Sequence, residues 1–349
     1  MKIVRSKNQD GTISPSALNY LTSIPNNFYF LNQHARRPPL GIYNISFAQL
    51  TTDFSNLLDE YFETVEFIRR NVGNLPHGDS YYNGLIKAQK DLIYSLQAHI
   101  DDCYTILASL IDPTNVTDKI AKVRFTDKWL EKLKFPKLVQ FKESISEYRN
   151  SYIAQLVNGL KHRQNRLRGI FFYNYNEVRV GYYLEEPDTN GIPGPSLRLH
   201  KDGDSAFSFA KDILFNLYHV YYISEILVNA VREALQHYQS FYLDYQKVST
   251  AENEKWINVI RRVSIIHPLV FPDEINKPYP YFSFAEDNSN YSLTLMYPVT
   301  LIPLEFPQKM RVCWISEGDG VSKSFRIPYL KKDLPKIMHP LHIRNFRIY

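Results

Sequence analysis

Between residues 46 and 247, apolar side chains recur at alternating spacings of three and four in four separate long runs. That is the period of an α-helix with one buried face. Phe47, Leu50, Phe54, Leu57, Tyr61, Val65, Ile68 and Val72 make the first stripe, which Gly73 and Pro76 stop. Leu85, Leu92, Leu96, Ile100, Cys103, Leu107 and Leu110 make the second, over about Ser80 to Ile111, ended by Asp112-Pro113. These two predict an antiparallel hairpin of helices. A third run, about Lys137 to Leu167, buries Leu138, Phe141, Ile145, Tyr148, Tyr152 and Leu156, would be roughly 45 Å long, and is closed by Gly169. The fourth, about Ser205 to Lys247, carries Ala210, Leu214, Leu217, Tyr221, Ser224, Val228, Val231, Leu235, Tyr238 and Tyr242. Four such stripes can bury themselves against one another, so a helical bundle is expected.

The rest of the chain follows other periods. Ile170-Phe171-Phe172-Tyr173 and Val178–Tyr183 flank the turn-forming Asn174-Tyr175-Asn176-Glu177, which predicts a β-hairpin. With the Pro- and Gly-rich loop after it, this makes an insertion at about residues 168–204. Past residue 249 prolines become dense and apolar runs shorten. Tyr281–Glu286, Tyr291–Tyr297, Val299–Phe306, Lys309–Ile315 and Val321–Ile327 read as strands of an antiparallel meander. Residues 1–45 show no sustained period and read as an extended arm packed on the body. The expected class is therefore α+β: an arm over 1–45, a helical bundle with an inserted hairpin over 46–250, and a small β-rich region over 251–349.

Several functions lose their usual signatures. No Gly-x-x-x-x-Gly-Lys-Ser/Thr and no Gly-x-Gly-x-x-Gly is present, and Gly-x-Ser-x-Gly and His-Glu-x-x-His are missing too. No cofactor is expected. The two cysteines, Cys103 and Cys313, cannot form a zinc cage and read as two buried thiols, with a long-range disulfide as the alternative. His339 and His342 straddle Pro340 without neighbouring ligands of suitable spacing, so no metal is expected either. The first residues lack an apolar leader core and no run approaches a membrane span, so a cytoplasmic protein with no membrane partner is expected.

Charge is where the sequence becomes informative. The net +5 hides two basic segments: Tyr148–Asn176 carries +5 without an acid, and Lys323–Tyr349 carries +6, leaving −6 for the remainder. The first segment holds Arg149, Lys161, Arg163, Arg166 and Arg168. On a continuous helix Gln155, Asn158, His162 and Asn165/Arg166 would share one polar stripe beside the apolar one. Arginine and lysine can hold phosphate oxygens, and histidine can move a proton near neutral pH. RNA would supply its own 2′-hydroxyl nucleophile, so no metal is needed. Cations at a helix C-terminus also oppose its macrodipole, which explains the same residues without a ligand.

Arg149-Asn150 followed by Asn158-Gly159-Leu160-Lys161-His162-Arg163 resembles the Asn-x-x-Lys-His signature of bacterial helical-bundle families related to HEPN domains. The resemblance implies a helical RNA-binding protein or metal-independent endoribonuclease of toxin or antiviral-defence type, working as a homodimer. It implies a catalytic His162 positioned by Asn158, with Arg149, Lys161, Arg163, Arg166 and Arg168 holding the nucleic acid. The family's nuclease motif sets four to six residues between Arg and His. Arg149 and His162 have twelve between them and would lie about 140° apart on a helix. Arg232-Glu233-Ala234-Leu235-Gln236-His237 meets that spacing, which makes Arg232 and His237 the alternative pair, on a polar seam with Asn229 and Glu233 that could face the third helix. The rival reading is a non-enzymatic helical protein that binds a protein partner.

Overall fold

A computed structural model describes the chain except for residues 32–36, 72–73, 75–79, 163–164, 175–176, 188, 190, 192, 201–205, 244–252, 268–269, 272–273, 275–276, 288–289, 302–309, 319–320, 330–345 and 348–349. Backbone alone is described at 115, 162, 172–174, 177, 193, 300–301, 310–318, 321–329 and 346–347. The fold is α+β, with long helices and antiparallel sheets.

Helices α3 (Pro39–Asn71) and α4 (Asn83–Ala108) form the expected hairpin and bury the predicted stripes, except that Val65 is half-buried and Val72 lies outside the described residues. They run antiparallel: the Ser46 hydroxyl meets His99 Nδ1 at 2.6 Å, and Ser95 donates to Asp53 farther along. Helix α3 starts at Pro39, inside the expected arm. A proline suits a first helical turn, and Ile42 and Tyr43 extend the buried stripe backward. The arm is also not extended throughout. It begins with strand β1 (Lys2–Ser6) and helices α1 (Lys7–Asp10) and α2 (Ser16–Thr22), and the Tyr221 hydroxyl donates to the Ile13 carbonyl at 2.7 Å.

After two short helices, α5 (Asp118–Ala121) and α6 (Thr126–Lys132), the third long run appears as α7 (Leu138–Ser146), a π-helical segment at Glu147–Ile153, and α8 (Ala154–His162). It stops short of the expected Leu167, because strand β2 (Arg166–Asn174) pairs with β3 (Glu177–Pro187) from Arg166↔Glu185 to Asn174↔Glu177. Arg166 and Arg168 therefore lie on a strand, and the single helical stripe expected through residue 166 does not form. Gly169 sits inside β2 rather than closing a helix. The Tyr82 ring occupies the place of its missing side chain, with an added Cβ falling 2.3 Å from a ring carbon. Of the four residues expected to turn this hairpin, Asn174 and Glu177 pair with each other as strand residues, and Tyr175 and Asn176 lie outside the described residues. Short strands β4 (Pro193–Pro195) and β5 (Phe207–Ser208) both pair with β3.

Helix α9 (Phe209–Gln239) is the most enclosed of the long helices, and it ends where Ser240 takes a left-handed conformation. Helix α10 (Glu254–Ser264) lies in the stretch expected to be β-rich. Its Asn253 cap accepts the Trp256 N–H at 3.2 Å, and Trp256, Ile257, Ile260 and Val263 face the core. Strands β6 (Pro278–Asp287) and β7 (Asn290–Leu301) form a hairpin, β7 merging two expected strands. The N-terminal β1 pairs along the other edge of β7, with Lys2↔Met296 through Ser6↔Ser292. Strands β8 (Met310–Gly318) and β9 (Val321–Tyr329) form a separate two-stranded sheet next to β4, while β10 (Phe346–Arg347) pairs with the end of β7. Helices and the β1-β7-β6 sheet share one apolar core.

Candidate functional site

The π-helical segment is where the fold concentrates polar groups. Wide π turns are uncommon and recur at functional sites. Here the segment directs two tyrosines four residues apart at α9. Tyr148 donates its hydroxyl to Asn216 Oδ1 at 2.9 Å and stacks on His219 with ring centroids 3.9 Å apart. One turn on, the Tyr152 hydroxyl donates to Asp212 Oδ1 and lies 3.0 Å from the Tyr182 hydroxyl.

Asp212 is the hub of this network. Its Oδ2 accepts from Gln89 Nε2 at 2.8 Å and from Asn216 Nδ2 at 3.0 Å, and Gln89 also reaches Tyr182 at 3.0 Å. Side chains from α4, the π segment, β3 and α9 thus converge on one carboxyl group that is 4% exposed. All its hydrogen-bond donors are neutral, and among the described residues it has no cationic partner within ion-pair distance. Burial, with a further contribution from the Glu274 charge, pushes its pKa up to about 6, against the pull of hydrogen bonds from Tyr152, Gln89 and Tyr182. The three tyrosine hydroxyls are pushed the same way by burial and stay protonated.

The carboxyl group borders a cavity of about 270 Å³ walled by the rings of Tyr152, Phe207, Phe215 and Tyr297. Buried Glu274 lines it as well, its carboxylate held by the backbone N–H groups of Phe271 at 2.9 Å and Ser208 at 3.3 Å. Exposed Glu147, Ser151, Lys277 and Pro278 form the mouth, and Lys211 is half-buried beside it. An apolar cleft with a few convergent polar groups and one shifted acid has the composition of a small-ligand site.

The residues singled out from sequence lie elsewhere and do not form one constellation. Asn158 and Lys161 are exposed on α8, Lys161 with its ammonium 5.1 Å from the Tyr94 ring centre, and Arg166 is exposed at the start of β2. His162 ends α8, but its side chain lies outside the described residues, as does Arg163 entirely. Arg149 is engaged by acids, 3.5 Å from Asp127 and 3.7 Å from Asp101, and lies over Tyr104. Arg168 pairs with Glu185 at 3.2 Å. Two of the five expected phosphate ligands are thus already neutralised.

Arg232 bonds Asn229 at 3.5 Å and lies over Tyr20 of α2. His237, Glu233 and Asn229 are exposed, so the seam they form faces outward and not toward the third helix. The Tyr148–Asn216 and Tyr152–Asp212 bonds make the third helical run antiparallel to α9. Arg232 is twenty residues beyond Asp212, about 30 Å along α9, and Asn158 continues in the opposite direction. The two candidate pairs therefore cannot share a site within one chain.

The sequence did carry a signal for the cavity. Asp212 and Asn216, four apart, interrupt an otherwise apolar buried face at Phe209, Ile213 and Leu217. No protein-family model, curated protein or solved structure matches the chain.

Proposed function

We propose that this protein binds a small ligand in the cavity beneath the π-helical segment, with Asp212 as the buried acceptor and proton-exchanging group. The supporting observation is the placement, at the wall of an open aromatic cleft, of a carboxyl group that has no cationic partner among the described residues. A carboxyl group titrating near 6 can change protonation on ligand binding at ordinary pH. Ligand-observed NMR with a fragment library tests this on the full chain, comparing wild type with Ser151→Trp, which puts a large ring at the exposed mouth. Fragments should bind wild type and lose binding in the variant. No binding to wild type, or binding indifferent to Ser151→Trp, would remove the cavity as a site.

A second reading, RNA binding and metal-independent cleavage of the HEPN type, draws support from the exposed Asn158, Lys161 and Arg166 at the α8–β2 junction. Incubating RNA with wild type, His162→Ala and His237→Ala tests it. Cleavage lost in one variant would assign the active pair, and RNA left intact by all three would end the nuclease reading. A homodimer or a protein partner belongs to the same group of proposals, and sedimentation of the full chain measures the first.

A further inference from the structure

The walls of the cavity meet at steep angles. Tyr152 makes interplanar angles of 85° with Phe207 and 86° with Phe215, and Phe215 makes 66° with Tyr297, with ring centroids 5.2–5.6 Å apart. A planar heterocycle is best held in a slot between parallel ring faces. Rings set at right angles instead make a box with differently oriented quadrupoles, an arrangement that suits a compact positive group. Charge points the same way. Asp212 and Glu274 are the buried charged groups in the lining, whereas Lys277 is exposed and Lys211 half-buried. Asp212 lacks a cation of its own among the described residues, and a buried carboxylate without one is costly. A ligand bearing a positive charge would supply the partner that the described residues do not.

We infer that the cavity takes a compact organic ammonium ion, its charged end toward Asp212 and its apolar part among Tyr152, Phe207, Phe215 and Tyr297. This rests on the ligand-binding reading of the same cavity and adds the chemical class. Phosphorylated ligands would meet Glu147, Asp212 and Glu274 and are disfavoured. Proton linkage follows: a bound cation favours the ionised carboxyl, so ammonium binding weakens as pH falls below about 6. Among the described residues, the charged and titrating groups around Asp212 are Glu274, Glu147, Lys211, Lys277 and the hydroxyls of Tyr148, Tyr152, Tyr182 and Tyr297.

Three probes of one shape separate the outcomes: benzylammonium, benzyl alcohol and benzoate, titrated into the full chain at pH 7.5 and 5 by calorimetry. Benzylammonium should bind about tenfold or more tighter than the alcohol, benzoate weakest, and only the ammonium should weaken at pH 5. Asp212→Asn should bring ammonium and alcohol to similar affinities. If that variant does not fold, the wild-type pH comparison carries the same information. If the alcohol or benzoate binds wild type as tightly as the ammonium and Ser151→Trp abolishes binding, the cavity stands and the cation is wrong. If no probe binds, the ammonium assignment fails, and the fragment screen decides whether the cavity stands.

Discussion

The two ends of the third helical run make opposite use of polar residues. At the π segment, Tyr148 and Tyr152 are buried and each hydroxyl has a partner on α9. At the end of α8, Asn158 and Lys161 face water, and Arg166 follows on an exposed strand position. In sequence the second end is the more conspicuous, because it gathers cations, an amide and a histidine. In three dimensions the first holds the cavity and the shifted acid. Polarity that costs most to bury is the more diagnostic, since an exposed cation needs no explanation beyond solvation and the helix dipole.

The largest expected difference between the two ends is in stability. Asp212→Ala strips an acceptor from Tyr152, Gln89 and Asn216 at once, and each buried donor left unpaired costs about 1–3 kcal/mol. Shared bonds among Tyr152, Tyr182 and Gln89 recover part, so about 3–5 kcal/mol overall is expected in urea unfolding. Lys161→Ala, by contrast, should change stability by less than about 1 kcal/mol. Equal effects from the two would erase the distinction between the ends.

A pH series sharpens it. The folded-state pKa of Asp212, about 6, lies above its ordinary 3.8, so the native chain holds the extra proton between these values. Its contribution therefore declines as pH rises from about 4 to 6, by at most ~3 kcal/mol at 1.36 kcal/mol per unit. His99, His200 and His219 act with the opposite sign. Burial is the main cause that lowers them to about 4, 3 and 3, so the chain loses stability as pH falls below 6.5 and the unfolded state takes up protons first. Three groups outweigh one, and wild type should be acid-labile. Asp212→Asn should make the acid side steeper. A variant whose stability parallels wild type from pH 4 to 7 would place the Asp212 titration at its ordinary value.

A smaller effect is expected of Tyr152→Phe. Losing the hydroxyl donor to Asp212 removes the largest influence that lowers this acid, so its midpoint should move further up, read by NMR titration of the labelled carboxyl carbon. Stability should fall by roughly 1–2 kcal/mol. A midpoint that stays or drops would mean the hydroxyl does not act on the carboxyl.

Much of the architecture is legible in the sequence because period and burial coincide. The α3–α4 hairpin, the β2–β3 pair and the burial of Tyr148 and Tyr152 follow from apolar spacing alone. Helix α10 is legible too but masked: Asn253 caps a helical spacing of Trp256, Ile257, Ile260 and Val263 within a proline-rich region that reads as β. The early end of α8 is not legible locally, since Arg166, Leu167 and Arg168 suit either state until β3 supplies a partner strand. The pairing of β1 with β7 joins residues nearly three hundred apart, which no local pattern encodes. The cavity falls between these cases: Asp212 and Asn216 mark α9 as unusual, but the π turn that brings Tyr152 to them has no sequence period.

The smallest expected effect lies at the exposed end and decides whether RNA belongs there. Lys161→Glu with Arg166→Glu should leave the unfolding midpoint nearly unchanged, because both side chains are exposed. Arg149→Ala is the contrasting variant: it frees Asp127 and Asp101 and uncovers Tyr104, so its cost should appear in stability. If RNA runs along the α8–β2 junction, the double variant lowers affinity and flattens the salt dependence by about 0.7 log units per log of salt for each phosphate no longer neutralised. Each reversal to Glu also adds repulsion, so the slope is the cleaner readout than affinity alone. An unchanged slope would leave the cations of this end with solvation and the dipole of α8 as their full account, and the chemistry of the molecule with the π segment.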